Sequence, residues 1–202
     1  MKKAMLFVLM TVGLMSCAAA PPETASRDGF QLIGATVVAP EGSDWVTLKS
    51  ISRIVAFGKA GDLLGETNIL SVAIVRIDAS LSDSAFLAQA KRAKAPENRP
   101  SRFQDAMVST REVAFKGAQC IRFEGSSLNT TARIETASDV YESRTGYTCR
   151  HPLRKDAVVE FPLTSRSGSR GHSAAELGLA ERFFENIAFN ENLFDRLRER
   201  GE

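Results

Sequence analysis

Residues able to do chemistry are scarce in this 202-residue chain, which has three cysteines, two histidines, one tryptophan and two tyrosines. Two histidines, His151 and His172, leave few ways to build a metal centre or supply a general base. No C-x-x-C is present, which argues against a redox pair and against zinc-ribbon spacing. Nucleophilic hydrolysis needs an activated Ser or Cys, yet no G-x-S-x-G occurs; Gly168-Ser169-Arg170-Gly171 has the wrong spacing. Gly58-Lys59-Ala60-Gly61 lacks the Walker spacing and its terminal Lys-Ser/Thr pair. Carboxylates are plentiful but scattered. No catalytic motif and no cofactor motif emerges.

The first residues carry charge and apolarity in a secretory order. Lys2 and Lys3 precede an uncharged apolar run over residues 4–15, and small residues follow from Ser16 to Ala20. As a helix those 12 residues reach about 18 Å, well short of a bilayer core of about 30 Å. The run reads as the core of a signal peptide over residues 1–16. Leu14-Met15-Ser16-Cys17 resembles the bacterial lipobox, with Met15 standing where a smaller residue is usual. That resemblance implies cleavage before Cys17, lipidation of its sulfur and acylation of the new amino terminus. Ordinary cleavage, with Ala18 and Ala20 forming an A-x-A site, is the alternative. Two or more acyl chains hold a protein stably on a bilayer, at about 0.8 kcal/mol per buried methylene. The membrane is thus the first expected partner, through palmitate-type chains on Cys17. Ala18 is not the aspartate that favours inner-membrane retention in enterobacterial lipoproteins, so outer-membrane attachment facing the periplasm is expected.

Residues 17–29 lack apolar periodicity and contain two prolines, so they read as a lipidated, disordered tether. Removing the signal takes away two lysines and no acid, leaving 24 basic against 24 acidic residues. A neutral domain without a basic stripe argues against a nucleic-acid partner. The 186 residues left of 202 suffice for one domain with a proper core.

Cys120 and Cys149 remain once the anchor cysteine is used. In an oxidising compartment an even pair reads first as a disulfide, stabilising by about 3.5 kcal/mol in the chain-entropy model. A metal site from Cys120, Cys149 and His151 is the weaker alternative, because Cys149-Arg150-His151 is a lone C-x-H.

Strand signals dominate the middle of the chain. Residues 36–38 and 45–48 flank a Pro-Glu-Gly-Ser-Asp turn; 51–57 is a further strand closed by Gly58 and Gly61; 69–77 is a branched apolar run. Ser82 caps a helix over residues 83–94. A meander follows over 107–115, 119–123, 140–149 and 157–163, where Ala157, Val159, Phe161 and Leu163 share one face. Ser173-Ala174-Ala175-Glu176 matches a capping box, and Leu177, Ala180, Phe183, Phe184 and Ile187 form an apolar helical stripe. Residues 190–202 read as a charged helical tail. Trp45 is expected in the core rather than as a sugar platform.

The predicted fold is therefore α+β: residues 30–189 as one antiparallel sheet packed by a middle helix and a C-terminal amphipathic helix. This order resembles the PsbP-like fold over about residues 30–189, through the element order, Trp45 after a turn, and Gly146-Tyr147-Thr148-Cys149-Arg150-His151-Pro152 before a strand. The resemblance transfers no functional residue. One local cluster suggests binding: Arg166, Arg170 and His172 within a Gly/Ser-rich stretch ahead of a helix, a place suited to an anion. A mobile connection is the alternative reading of that stretch. The expected function is a non-enzymatic, lipid-anchored envelope module whose partner is another envelope protein. A small-ligand or anion-binding lipoprotein is the second reading, and an enzyme the third.

Overall fold

The structure, a computed structural model, describes residues 29–96, 102–134 and 137–191. Cys17, the signal and the tether lie outside them, as does the tail beyond Glu191. The strands in chain order are β1 (Phe30–Leu32), β2 (Ala35–Val37), β3 (Val46–Ile51), β4 (Ile54–Ala60) and β5 (Thr67–Arg76). Helix α1 (Asp83–Ala93) follows, then β6 (Phe103–Phe115), β7 (Ala118–Asn129), β8 (Tyr141–Arg150) and β9 (Ala157–Ser167). Helix α2 (Ala174–Glu185) and β10 (Ala188–Phe189) complete the α+β architecture. Seven strands form one antiparallel sheet, ordered β3-β4-β5-β9-β8-β7-β6; β1, β2 and β10 form a small second sheet. No helix among the described residues is long and apolar enough to cross a membrane.

Alternation along the strands gives the main sheet two faces. On one face Val55, Phe57, Leu70, Val72, Val159, Phe161 and Leu163, each 0–1% exposed, pack against α2 and the small sheet. Phe161 and Phe184 sit 5.4 Å apart, with Tyr147 and Phe115 against Phe161 at 5.2 and 5.4 Å. On the other face α1 buries Phe86, Leu87 and Ala90 against Ile121 and Val158. The two helices thus lie on opposite sides of the sheet.

Local chemistry explains the ends of these elements. The Ser82 hydroxyl accepts from Ala85 N–H at 3.2 Å, and Asp83 sits in the first turn of α1. The expected capping box closes α2: Glu176 N–H donates to Ser173 Oγ, and Ser173 N–H to Glu176 Oε2. At its other end Lys116 Nζ donates to the Glu185 and Ile187 carbonyls, placing a cation at the negative pole of the helix. Lys116 (φ 48) and Gly117 (φ 79) form the two-residue β6–β7 hairpin loop, where both positions need positive φ. Gly146 pairs with Pro162 where β8 runs close against β9, and a Cβ there would collide with the Phe161 carbonyl oxygen.

Three sequence expectations change. Residues 51–57 are not one strand: Ile51 ends β3, Ser52 and Arg53 turn, and Ile54 begins β4. No Gly or Pro marks that turn; instead Ile33 N–H donates to the Ser52 carbonyl and Ile74 N–H to the Arg53 carbonyl. Ser165, Arg166 and Ser167 belong to β9 rather than to a loop. Asn190 and Glu191 are not helical. Asn190 instead ties the small sheet, its N–H donating to Gly34 O and its amide to Thr36 Oγ1 at 2.7 Å.

Cys120 and Cys149 are bonded, as their sequence context predicts. They face each other directly in the β7–β8 register with Cα atoms 4.0 Å apart, and both are 0% exposed. Replacing both by alanine is expected to lower unfolding free energy by about 2–5 kcal/mol in chemical denaturation. A loss below about 1 kcal/mol would show that hydrogen-bonded pairing alone holds these strands in register.

Candidate functional site

The sheet extends beyond its apolar core at the end formed by the C-terminal half of β7, the start of β8 and the end of β9, and there its α2 face turns polar. Ser109, Glu124, Ser126, Ser143, Thr145 and Ser165 take the positions that further along hold Phe161 and Tyr147. The connection from β9 to α2 folds over this end. Gly171 N–H donates to Ser143 Oγ at 2.9 Å, and Arg170 Nη1 donates to the Asp105 carbonyl at 3.0 Å. Asp105 sits at φ 49 in the irregular stretch of β6, so Arg170 braces a strained turn as well as stacking 4.8 Å from the Tyr141 ring.

Between this connection and β6–β7 lies a groove of about 360 Å³, lined by Met107, Val108, Ser109, Glu124, Gly125, Ser126, Arg170, Gly171 and His172. Ser165 Oγ and His172 Nδ1 share a 2.9 Å hydrogen bond. His172 Nε2 is buried and has no hydrogen-bond partner among the described residues. Burial holds the His172 imidazole below its usual range, against the pull of Glu176 and Glu124.

The sequence cluster is split by this geometry. Arg170 and His172 come together at the groove. Arg166 does not join them: it alternates with Ser165 in β9, so it lies on the opposite face, in register with Glu142 and Thr67. Glu124 and Ser126, which supply the other wall, carry no sequence signal, because β7 beyond Phe123 (Glu-Gly-Ser-Ser-Leu-Asn) has no apolar alternation. A second opening, of about 340 Å³, lies on the α1 face between the end of α1 and β6–β8; it is lined by Lys94, Phe103, Phe123 and Arg144 among others. Lys94 is engaged there, 2.6 Å from Glu160 and 4.5 Å from the Phe123 ring centre.

His151 and Arg150 are structural. His151 is 1% exposed; its Nδ1 accepts from Leu153 N–H at 3.2 Å, so its protonated Nε2 donates to the Gly34 carbonyl at 2.8 Å. It bolts the small sheet to the end of β8. Arg150, 4% exposed, donates to the carbonyls of Ala79, Leu81 and Lys155 and to the Asp83 carboxylate, fixing the approach to α1. The two sulfurs of the sequence-level metal alternative are bonded to each other. Among the described residues no group of three His, Cys, Asp or Glu is arranged to hold a metal ion.

No family model matches the chain, and no curated protein matches it. A solved structure from Bacteroides thetaiotaomicron VPI-5482, determined at 1.50 Å, is similar over 82% of this chain, with 16% identity and a TM-score of 0.42. The chain spans half the length of that protein (50%).

Burial also lowers the pKa of His151, despite hydrogen bonds that favour its charged form. Both histidines therefore take up protons on unfolding. Their contribution to stability is complete above the ordinary value of 6.5 and is lost as pH falls through it toward the lower native values. The depressed carboxylates, Asp44, Asp78 and Asp156, act only below their ordinary value of 3.8, outside this window. Melting temperature is expected to fall between about pH 7 and pH 5, and to fall less steeply in a His151→Gln, His172→Gln double variant. A profile equally steep in both proteins would contradict neutral burial.

Proposed function

We propose that the chain is a lipid-anchored protein of the bacterial cell envelope, held by Cys17, whose domain binds another envelope component without covalent chemistry. The observation that carries this reading is the buried Cys120–Cys149 bond between β7 and β8. Such a bond persists in oxidising compartments and is rare in the cytosol. It agrees with the secretory amino terminus and the lipobox-like Leu14-Met15-Ser16-Cys17. Binding is favoured over hydrolysis by the burial of Ser165. It is the hydroxyl paired with His172, and at 1% exposure it cannot meet a substrate without moving β9. Attachment on the periplasmic side of the outer membrane follows from Ala18.

A second reading, a small-ligand site in the groove, is favoured by the unpaired His172 Nε2. Arg170 and Glu124 both line the groove, which suits a ligand carrying both charges, such as a phosphate ester of an amine.

Two measurements separate these readings. Native protein recovered from membranes is expected to begin at Cys17 with acyl chains attached, and a Cys17→Ser chain to carry none. An unmodified chain retaining Met1 in the cytosol would refute the anchor. In titrations with phosphoethanolamine, Arg170→Ala is expected to weaken binding several-fold, and Arg166→Ala, on the other face, to leave it unchanged. Absence of binding to the unaltered protein ends the second reading.

A further inference from the structure

The helix α1 packs on β7 and β8, and no described helix covers the other end of that face. There β3, β4 and β5 present one apolar surface. Ile51 pairs with Ile54, and Ile54 with Ala73, two residues from Val75 on the same side. Leu48, the extra residue of the β3 bulge, lies over Gly58, where a Cβ would stand 2.7 Å from its Cδ1. Leu48, Ile51 and Val75 are 55%, 51% and 55% exposed, a grouping on one face rather than scattered singles.

The charges beside this surface are mostly positive. Lys49 lies on it, in register with Ala56; Arg53 occupies the β3–β4 turn, and Arg76 follows Val75 at the end of β5. None of these three cations is in an ion pair with a described residue. Of the acids at that end, Asp156 holds Arg154 through both carboxylate oxygens at 3.1 Å and its pKa is also drawn down by Arg76, whereas Asp78 accepts from Ser80 N–H at 2.8 Å and keeps its charge, which leaves these groups net positive. Apolar side chains flanked by a net positive charge complement an anionic bilayer, whose acyl boundary takes the former and whose headgroups take the latter.

We infer that the β3–β4–β5 face rests on the surface of an anionic bilayer, the lipid on Cys17 keeping it within reach. The inference depends on the proposed anchor. Residues 18–29 span at most about 40 Å, so a weak surface affinity is raised by high effective concentration.

The test uses native lipidated protein in vesicles of phosphatidylcholine, with and without phosphatidylglycerol. Flotation with the vesicles reads the anchor, and carbene footprinting reads the face. The expected result is flotation with both vesicles, and several-fold lower labelling of Leu48, Ile51 and Val75 on the anionic ones only. A Lys49→Glu, Arg53→Glu variant should still float yet regain full labelling, with its melting temperature unchanged. Flotation with a fully labelled face overturns this inference and leaves the anchor standing; failure to float overturns both. Protection that grows with protein concentration in detergent without phospholipid overturns it in favour of a second copy of the chain.

Discussion

The pairing of β7 with β8 is the constraint on which the rest of the structure depends. Side chains in a strand alternate with period two, so a slip of one residue would turn every side chain of β7 to the wrong face. In the observed register Cys120 meets Cys149 on the α2 face, Ile121 and Phe123 turn toward α1, and Arg122 returns to the α2 side, 2.6 Å from Glu181 and 4.6 Å from the Tyr147 ring centre. Any other register moves the sulfurs apart. The disulfide is therefore both a covalent staple and a record of correct pairing, and it links the fold to the compartment in which the fold forms.

From that register the two faces follow, and they are treated unequally. The α2 face is closed by a helix, a small sheet and an aromatic cluster, then secured by His151 reaching Gly34 and Lys116 reaching the end of α2. The α1 face receives one short helix over its β7–β8 half, oriented by Arg150 gripping the loop before it. A sheet face left apolar at Ile51, Ile54 and Val75 costs solvation free energy in an isolated monomer. That cost is offset once the face meets an apolar phase.

What could be read from the sequence was what apolar periodicity or a capping residue marks. Val159, Phe161 and Leu163 alternate visibly; Ser173 and Glu176 announce a helix; Trp45, 3% exposed, joins the core as its type suggests. The misplaced elements are held by partners distant in sequence. Ser165 to Ser167 carry polar side chains and sit before a glycine, yet they continue β9 because β8 pairs with all three and β5 with Ser165 and Arg166. Glu124 to Asn129 continue β7 in the same way, between β6 on one edge and β8 on the other. The turn at Ser52 and Arg53 has no glycine because contacts from Ile33 and Ile74 hold it. The groove was half legible for this reason. Its loop wall is rich in glycine and arginine, whereas its strand wall is ordinary polar sequence whose position only the pairing defines.

The central claim, a domain folded around a disulfide in an oxidising envelope, is tested most directly by trapping thiols in native cells lysed into alkylating reagent. The account predicts that neither Cys120 nor Cys149 is alkylated until a reductant is added, and that their peptides are recovered joined. Direct alkylation of both in the unreduced native protein would contradict it.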